Sequence, residues 1–500
     1  MPIAIRLFTL TIMALIILPI SAKAANISSE GAERLQSLFQ NILIQREKKF
    51  ESRQDSSLEI DGVVTVEPAD TYYAITWPQM TINRVNGDSL KIGLIAMNAA
   101  PHDVLGQYKI TTALPTPIIG KNASGIEDIN IAIGSQNIAG IFDEKLNNFV
   151  KMDAQLSDVR IILDSGAALA TIPSLKVRYD LKPDEYEGEN NHRRWSGPSR
   201  FEISDFKLTQ ADKSAELTIE KFVIASELKN FASEAFGKIS SQDTPPLSPL
   251  KLSDGASLRI ALSNLSASAP DQQETFTLKS GSFAFSYKNA LSGNASASAS
   301  LKFKDLNASK IPDDVKALLP KNATLNLTQH NIPLEAIDDT LANSGAMTGK
   351  ILSLPILFKI PAILAQAGSY LEARNSNLNN DEYNIDFSSI LRADLTAVNS
   401  ATASGTLRFS GLDKVLARAQ VIGTDLHGSP YALPVRNLAR FLERLKPMGR
   451  VETDPEKGFI HIFDLEMNKQ GHFLINGKDA SAYLNEPENP ESPTPPAPQK

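Results

Sequence analysis

The chain contains no cysteine. Disulfide staples, thiolate chemistry and cysteine metal sites are all excluded together, so burial alone must hold the fold. Histidine is sparse and dispersed. His102, His192, His330, His427, His461 and His472 include no pair at a ligand spacing such as His-x-x-x-His. Each reads as a turn or sheet-face histidine rather than a metal ligand or general base. An excess of positive charge is also missing, because 50 Lys and Arg stand against 57 Asp and Glu. The net charge of −7, or −9 once Arg6 and Lys23 are removed, argues against nucleic acid as a partner and weakly against electrostatic capture by anionic lipid heads. A Gly-x-Ser-x-Gly elbow and a phosphate-cradling glycine loop are absent too.

What is present begins with a targeting signal. Arg6 precedes an apolar run from Leu7 to Ile20, and Ala22-Lys23-Ala24 fits a small-x-small cleavage site before Ala25. The run is short for a bilayer span, which takes about 20 apolar residues. The expectation is a signal peptide over residues 1–24 and a periplasmic or secreted mature protein with no transmembrane span; an uncleaved anchor is the alternative. The 42% apolar content is enough for a large core without staples.

A helix is expected over Ser28–Arg53. Leu35, Leu38, Phe39, Ile42 and Leu43 recur at spacings of three and four, Ser28 or Ser29 can cap it, and Glu30 sits in the first turn. Packing on the end of a sheet is the first reading and a membrane-surface helix the second. From Leu58 to Gly134 the period drops to two, which predicts six strands in an antiparallel meander. Gly140–Phe149 (GIFDEKLNNF) then reads as a short amphipathic helix.

The central stretch repeats. LSDVRI from Leu156, ISDFKL from Ile203 and LSNLSA from Leu262 share an apolar residue, Ser, Asp or Asn, and a second apolar residue, with starts 47 and 59 residues apart. After each comes an alternating segment: TIPSLKVRYDL from Thr171, LTIEKFVIASEL from Leu217 and FTLKSGSFAFSY from Phe276. The unit reads as strand, loop, strand; chance alignment of alternating strands is the competing explanation. The fold class expected is mainly β with peripheral α: an extended, curved antiparallel sheet of repeated strand-loop-strand units. It occupies residues 58–320 and continues over 321–484, with capping helices at the N-terminus and in the C-terminal third. Leu354–Arg374 reads as a proline-broken helix covering the sheet, and 485–500 as a disordered proline-rich tail.

Three candidate sites in sequence resolve to bland readings. Gly87-Asp88-Ser89-Leu90 spells the nucleophile block of a large esterase family, but that family also needs Asp-x-x-His, which occurs nowhere here. Asn86-Gly87 reads instead as a two-residue hairpin turn, with Ser89 starting a strand. Asp184, Glu185, Glu187 and Glu189 offer carboxylates for Ca²⁺ without EF-hand spacing, so a solvated loop is the better reading. His192-Arg193-Arg194-Trp195 can meet an anionic partner or simply be solvated. No catalytic, cofactor or metal residue is assigned.

In the C-terminal third, LLPKNATLNLTQHNIPLEAI, TASGTLRFSGLDKVLARA and FDLEMNKQGHFLINGKDA resemble a family of exported alphaproteobacterial proteins of unknown function. A looser similarity of style links the chain to AsmA-like envelope proteins, which handle lipids along a β-groove. The family has no established activity and brings no site residues; because a sheet with one apolar face must bury it somewhere, the expectation is a non-enzymatic envelope protein whose sheet binds lipid or another apolar ligand. A structural scaffold that meets an envelope protein is the alternative, and an envelope hydrolase the third reading.

Overall fold

The computed structural model describes residues 27–51, 55–122, 128–144, 146, 148–184, 194–210, 212, 214–232, 253–269, 274–342, 354–425, 429–456 and 458–480. The expected signal segment, most of the polar stretch Pro183–Pro198, the stretch Ser240–Pro249 and the expected tail lie outside them. The protein is mainly β, and every described strand pairing is antiparallel. Contacts divide it into two compact units. The first ends at Ile311 and takes in residues 334–342, and the second holds Pro312–Pro333 and the chain from 354 onward.

The first unit is built on helix α1 (Ser29–Glu51). Ser28 caps it, its Oγ accepting from the Gly31 N–H at 3.0 Å. The expected stripe is buried: Leu35, Phe39, Ile42 and Leu43 are almost inaccessible, each contributing about 1.5–3 kcal/mol by leaving water. Arg34 donates to the Tyr108 hydroxyl at 2.8 Å and lies 3.5 Å from the buried Glu144 carboxylate. Burial, reinforced by Glu144, pushes the Tyr108 phenol up to about 12.

The strands that surround α1 do not form a meander. They are β1 (Ser56–Asp61), β2 (Thr65–Pro68), β3 (Tyr73–Trp77), β4 (Gln79–Arg84), β5 (Ser89–Ile92), β6 (Ile95–Pro101), β7 (Gln107–Ala113), β8 (Ile118–Lys121) and β9 (Ile129–Asp143). One arm runs β2–β3–β6–β7 and the other β1–β4–β5–β8, and both end on β9, at its C-terminal and N-terminal halves. Two of the six strands expected from the period of two, LEIDGVVTVEP from Leu58 and SLKIGLIAM from Ser89, are each two: the first divides at Gly62, whose φ is +113°, and the second before Ile95. Core side chains from both arms, including Ile75, Tyr108, Ile82 and Leu90, join those of α1 in one cluster.

The helix expected over Gly140–Phe149 is a hairpin. β9 runs through to Asp143, whose Oδ1 accepts from the Leu146 N–H at 2.9 Å, and β10 starts at Asn148. A Cβ on Gly140 would come 2.6 Å from the Lys151 carbonyl and 2.7 Å from the Phe149 ring, so glycine here admits the neighbouring strand at a bulge.

From β9 the unit grows as a ladder of long strands: β10 (Asn148–Leu163), β11 (Ala168–Asp180), the two-residue β12 (Lys182–Pro183), β13 (Arg194–Thr209), β14 (Glu216–Ala232), β15 (Gly255–Ala269), β16 (Glu274–Lys288) and β17 (Ala295–Ala308). The repeated motif is the middle of alternate strands in this ladder. Its third residue is left-handed each time: φ is +54° at Asp158, +55° at Asp205 and +46° at Asn264. A fourth copy, Phe303-Lys304-Asp305-Leu306, puts Asp305 at +53°, a repeat that sequence comparison missed because its second residue is Lys. The register lines these residues up with Gly134, Pro173, Glu220 and Lys279 of the intervening strands, all of them exposed, in one row across the ladder. Asn264 donates to Glu220 within the row.

The row has a physical purpose. Apolar positions alternate at every second residue on either side of it, yet across it they stand three apart, as in Leu156 and Val159, Ile203 and Phe206, or Leu262 and Leu265. On β10, β13, β15 and β17 a single left-handed residue resets the alternation, so both halves of each of these strands present apolar side chains to one face. Asp and Asn tolerate that conformation better than other residues with a Cβ.

The second unit has helix α2 (Asp313–Lys316), β18 (Asn322–Ile332), α4 (Leu354–Gln366), β19 (Tyr370–Asn379), β20 (Asn384–Ala393), β21 (Ala401–Ser410), α5 (Leu412–Asp425), α6 (Ala432–Leu445), β22 (Arg450–Asp454), β23 (Gly458–Met467), β24 (Phe473–Ile475) and β25 (Lys478–Asp479); α3 (Leu334–Ala342) falls with the first unit. Its ladder runs β18–β19–β20–β21–β23, with β22 and β24 both on β23 and β25 on β24. The helix expected over Leu354–Arg374 ends early. Gly368, at φ +64°, closes α4, and the rest of the segment is strand β19. Among the described residues no helix is long and apolar enough to cross a membrane.

Candidate functional site

The apolar face of the β10–β17 ladder changes character along its length. Residues directly opposite each other in antiparallel strands share a face, so the register can be followed as rows. One runs Ala170, Leu208, Leu217, Ala267, Phe276 and Ala308; another runs Val177, Phe201, Ile224, Ile260, Phe283 and Leu301. At the β11–β13 end, Ala170, Ile172, Leu175, Ile203 and Leu208 are buried in the core that includes α1. On β16 and β17 the same face is open: Phe276 is 38% exposed, Phe283 41%, Phe285 40% and Leu301 44%. No apolar side chain described on β15 or β16 is buried.

The opposite face is charged, and this fixes which side is which. Glu202 lies between Arg200 at 2.7 Å and Lys221 at 2.9 Å, and hydrogen bonds from both cations hold its carboxyl below the usual glutamate range. Lys207 pairs with Glu216 at 2.8 Å. Across the ladder the open side is therefore mainly aromatic and aliphatic, with Ser199 and Ser226, which bond each other, and Tyr287 as polar members of its rows. Gly281 lies on it between its register partners Leu262 and Phe303, and the Leu278 side chain closes over it, 3.1 Å from where a Cβ would stand. Contiguous exposed apolar surface of this kind is what a ligand or partner covers.

The residues singled out in the sequence are not gathered together. Ser89 opens β5 and is paired with Asn83 and Lys121 in the ladder. Its turn differs slightly from the two-residue loop expected: the Gly87 N–H bonds the Arg84 carbonyl at 2.9 Å, the Arg84 N–H bonds the Asp88 carbonyl at 2.8 Å, and Gly87 has φ +87°. That is a three-residue loop closed by a left-handed glycine. His102 caps a turn, its Nδ1 accepting from Val104, and His472 sits in another turn. His461 is buried, and burial lowers its pKa. His330 stacks on Tyr370 with ring centres 4.5 Å apart and stands 3.5 Å from Glu372, which Arg374 also holds at 2.6 Å. Among the described residues no three His, Asp or Glu side chains gather as a metal site would require. His192, His427 and the acidic run Glu185–Glu189 fall outside the described residues, while Arg194 donates to the Asn230 carbonyl at 2.7 Å and Trp195 is buried.

A cleft of about 790 Å³ lies on the second unit's ladder, lined by Glu372, Arg374, Ser388, Ser404, Thr406, Arg450, Asp464 and Glu466. Its cations are paired within it: Arg374 with Glu372, and Arg450 with Asp464 at 3.6 Å. The cleft is thus polar, with both of its arginines paired, whereas the open face of the first unit's ladder is mainly apolar. No protein-family model matches the chain, and no curated protein matches it.

Proposed function

We propose that this is a non-enzymatic exported protein of the cell envelope that holds an apolar ligand, such as the acyl chains of a lipid, along the open face of β14–β17. One observation carries the proposal: a face that is buried core at β11–β13 continues unbroken in register to Phe276, Phe283, Phe285 and Leu301, where it is left open. Surface of this kind is stabilised by about 25 cal/mol for each Å² removed from water, and no charged side chain stands in the two rows followed above. The Arg6-led apolar segment and the absence of cysteine support export to the envelope. The resemblance to exported alphaproteobacterial proteins, and in style to AsmA-like β-groove proteins, points the same way.

Native mass spectrometry with lipid extraction, on protein purified from its own envelope, tests this. An acyl-chain ligand at fixed stoichiometry that disappears in Phe283→Asp, with folding retained by circular dichroism, is the expected result. A ligand-free mass, unchanged after incubation with membranes, overturns it.

A further inference from the structure

The second unit carries an outward helix face of a different kind. α6 (Ala432–Leu445) packs through Ala432, Val435, Ala439 and Leu442, all buried. Leu433, Asn437, Arg440, Phe441 and Arg444 stand at i, i+4, i+7, i+8 and i+11, which places them together on the opposite side of the helix. Large apolar groups on that side are well exposed, Leu433 at 60% and Phe441 at 54%. Arg436 flanks them. Arg436 and Arg440 make no hydrogen bond or ion pair among the described residues, and neither neighbouring carboxylate competes for them: Glu443 accepts from Gln420 and Asp413 pairs with Lys446 at 2.7 Å.

We infer that α6 is a membrane-surface contact that lies on anionic lipid, with Arg436, Arg440 and Arg444 among the head groups and Leu433 and Phe441 below them. Exposed apolar anchors interleaved with arginines on one helical face are what an interfacial helix requires. An acidic protein would be met by the arginines, but it would leave Leu433 and Phe441 without a reason to stand in water beside them. The local charge also departs from the chain's net −7, so the patch is not a sample of the overall surface. The inference stands apart from ligand binding by the first unit.

Flotation of the full chain with phosphatidylglycerol-containing vesicles, against pure phosphatidylcholine vesicles, tests it. Partition is expected to favour the anionic vesicles and to fall with salt. Replacing the three arginines by Gln lowers it about a hundred-fold, since each basic residue near an anionic surface counts for about five-fold, whereas the Arg→Lys triple variant retains it. The pair Leu433→Ser and Phe441→Ser weakens binding while its salt dependence persists. Equal partition to both vesicle types, or partition that the Gln variant leaves unchanged, overturns the inference. So does absence of vesicle binding from protein that instead captures a polyglutamate peptide. Circular dichroism of each variant separates these results from misfolding.

Discussion

Two halves of one ladder share a register, a face and a repeated motif, yet one half is core and the other is surface. Over β10–β13 the apolar side chains meet α1 and the two arms; on β14 Leu217 and Phe222 still pack against that core and Phe231 is buried, and by β16–β17 Phe276, Phe283, Phe285 and Leu301 are open. The difference therefore lies in what packs on top, because the strands themselves are made to one pattern. The first half is held by burial, and the second chiefly by hydrogen bonds along its strands and by ion pairs on the polar face.

Paired phenylalanine substitutions should break this comparison most sharply. Phe142 is fully buried, its ring 5.6 Å from both Phe39 and Phe149, and Phe142→Ala is expected to cost about 3–5 kcal/mol. Phe283→Ala, on the open face, should cost less than about 1.5 kcal/mol, because little cavity is left behind. Urea denaturation followed by tryptophan fluorescence reads both; equal losses would mean that the second half is covered as well as the first.

The bend row gives the next effect. Asn264→Val forces a β-branched residue to φ +46° and should cost about 1–2 kcal/mol, whereas Asn264→Gly should be close to neutral. Thermal unfolding of the two variants checks the contrast, and identical melting temperatures would mean that the left-handed residue can be relieved. The α1 cap comes after it: Ser28→Ala removes the bond to Gly31 and should cost about 1 kcal/mol, measured by urea denaturation. An unchanged midpoint would show that the helix is held by its buried stripe alone.

The smallest effect is electrostatic. Glu202 has a lowered folded pKa, so its contribution is complete above the ordinary glutamate range and is lost as pH falls through that range and below it. The wild type should lose stability over that acid window slightly faster than Glu202→Gln. The effect is modest, because Arg200 and Lys221 reach Glu202 from the solvent side. Parallel melting curves against pH for both proteins would refute it.

Much of this was legible before the structure. Strand content, the α1 stripe, the Ser28 cap and the apolar-Ser-Asx-apolar motif are local patterns, and local patterns survive in sequence. Three things were not legible. Pairing of β3 with β6 and of β1 with β4 is non-local, so the meander reading failed where Gly62 and the Gly93-Leu94 break redirect the chain. The segment GIFDEKLNNF carries a helix-like spacing of apolar residues, but Asp143 turns it into a hairpin. The candidate face was invisible for a different reason. Exposure leaves no signature in a strand whose pattern is the same whether covered or open: Ile172 and Phe283 occupy equally apolar contexts, and only the first is buried.

The row of left-handed residues has one more consequence, for growth of the molecule. Since every second strand carries its reset at the same level, a further hairpin with one such strand can join the ladder without disturbing the register of those already there. Each such addition widens the apolar face by two strand spacings, about 9.5 Å. Duplication of a single hairpin would thus lengthen the surface in fixed steps, and the number of copies of a four-residue phrase would set its extent.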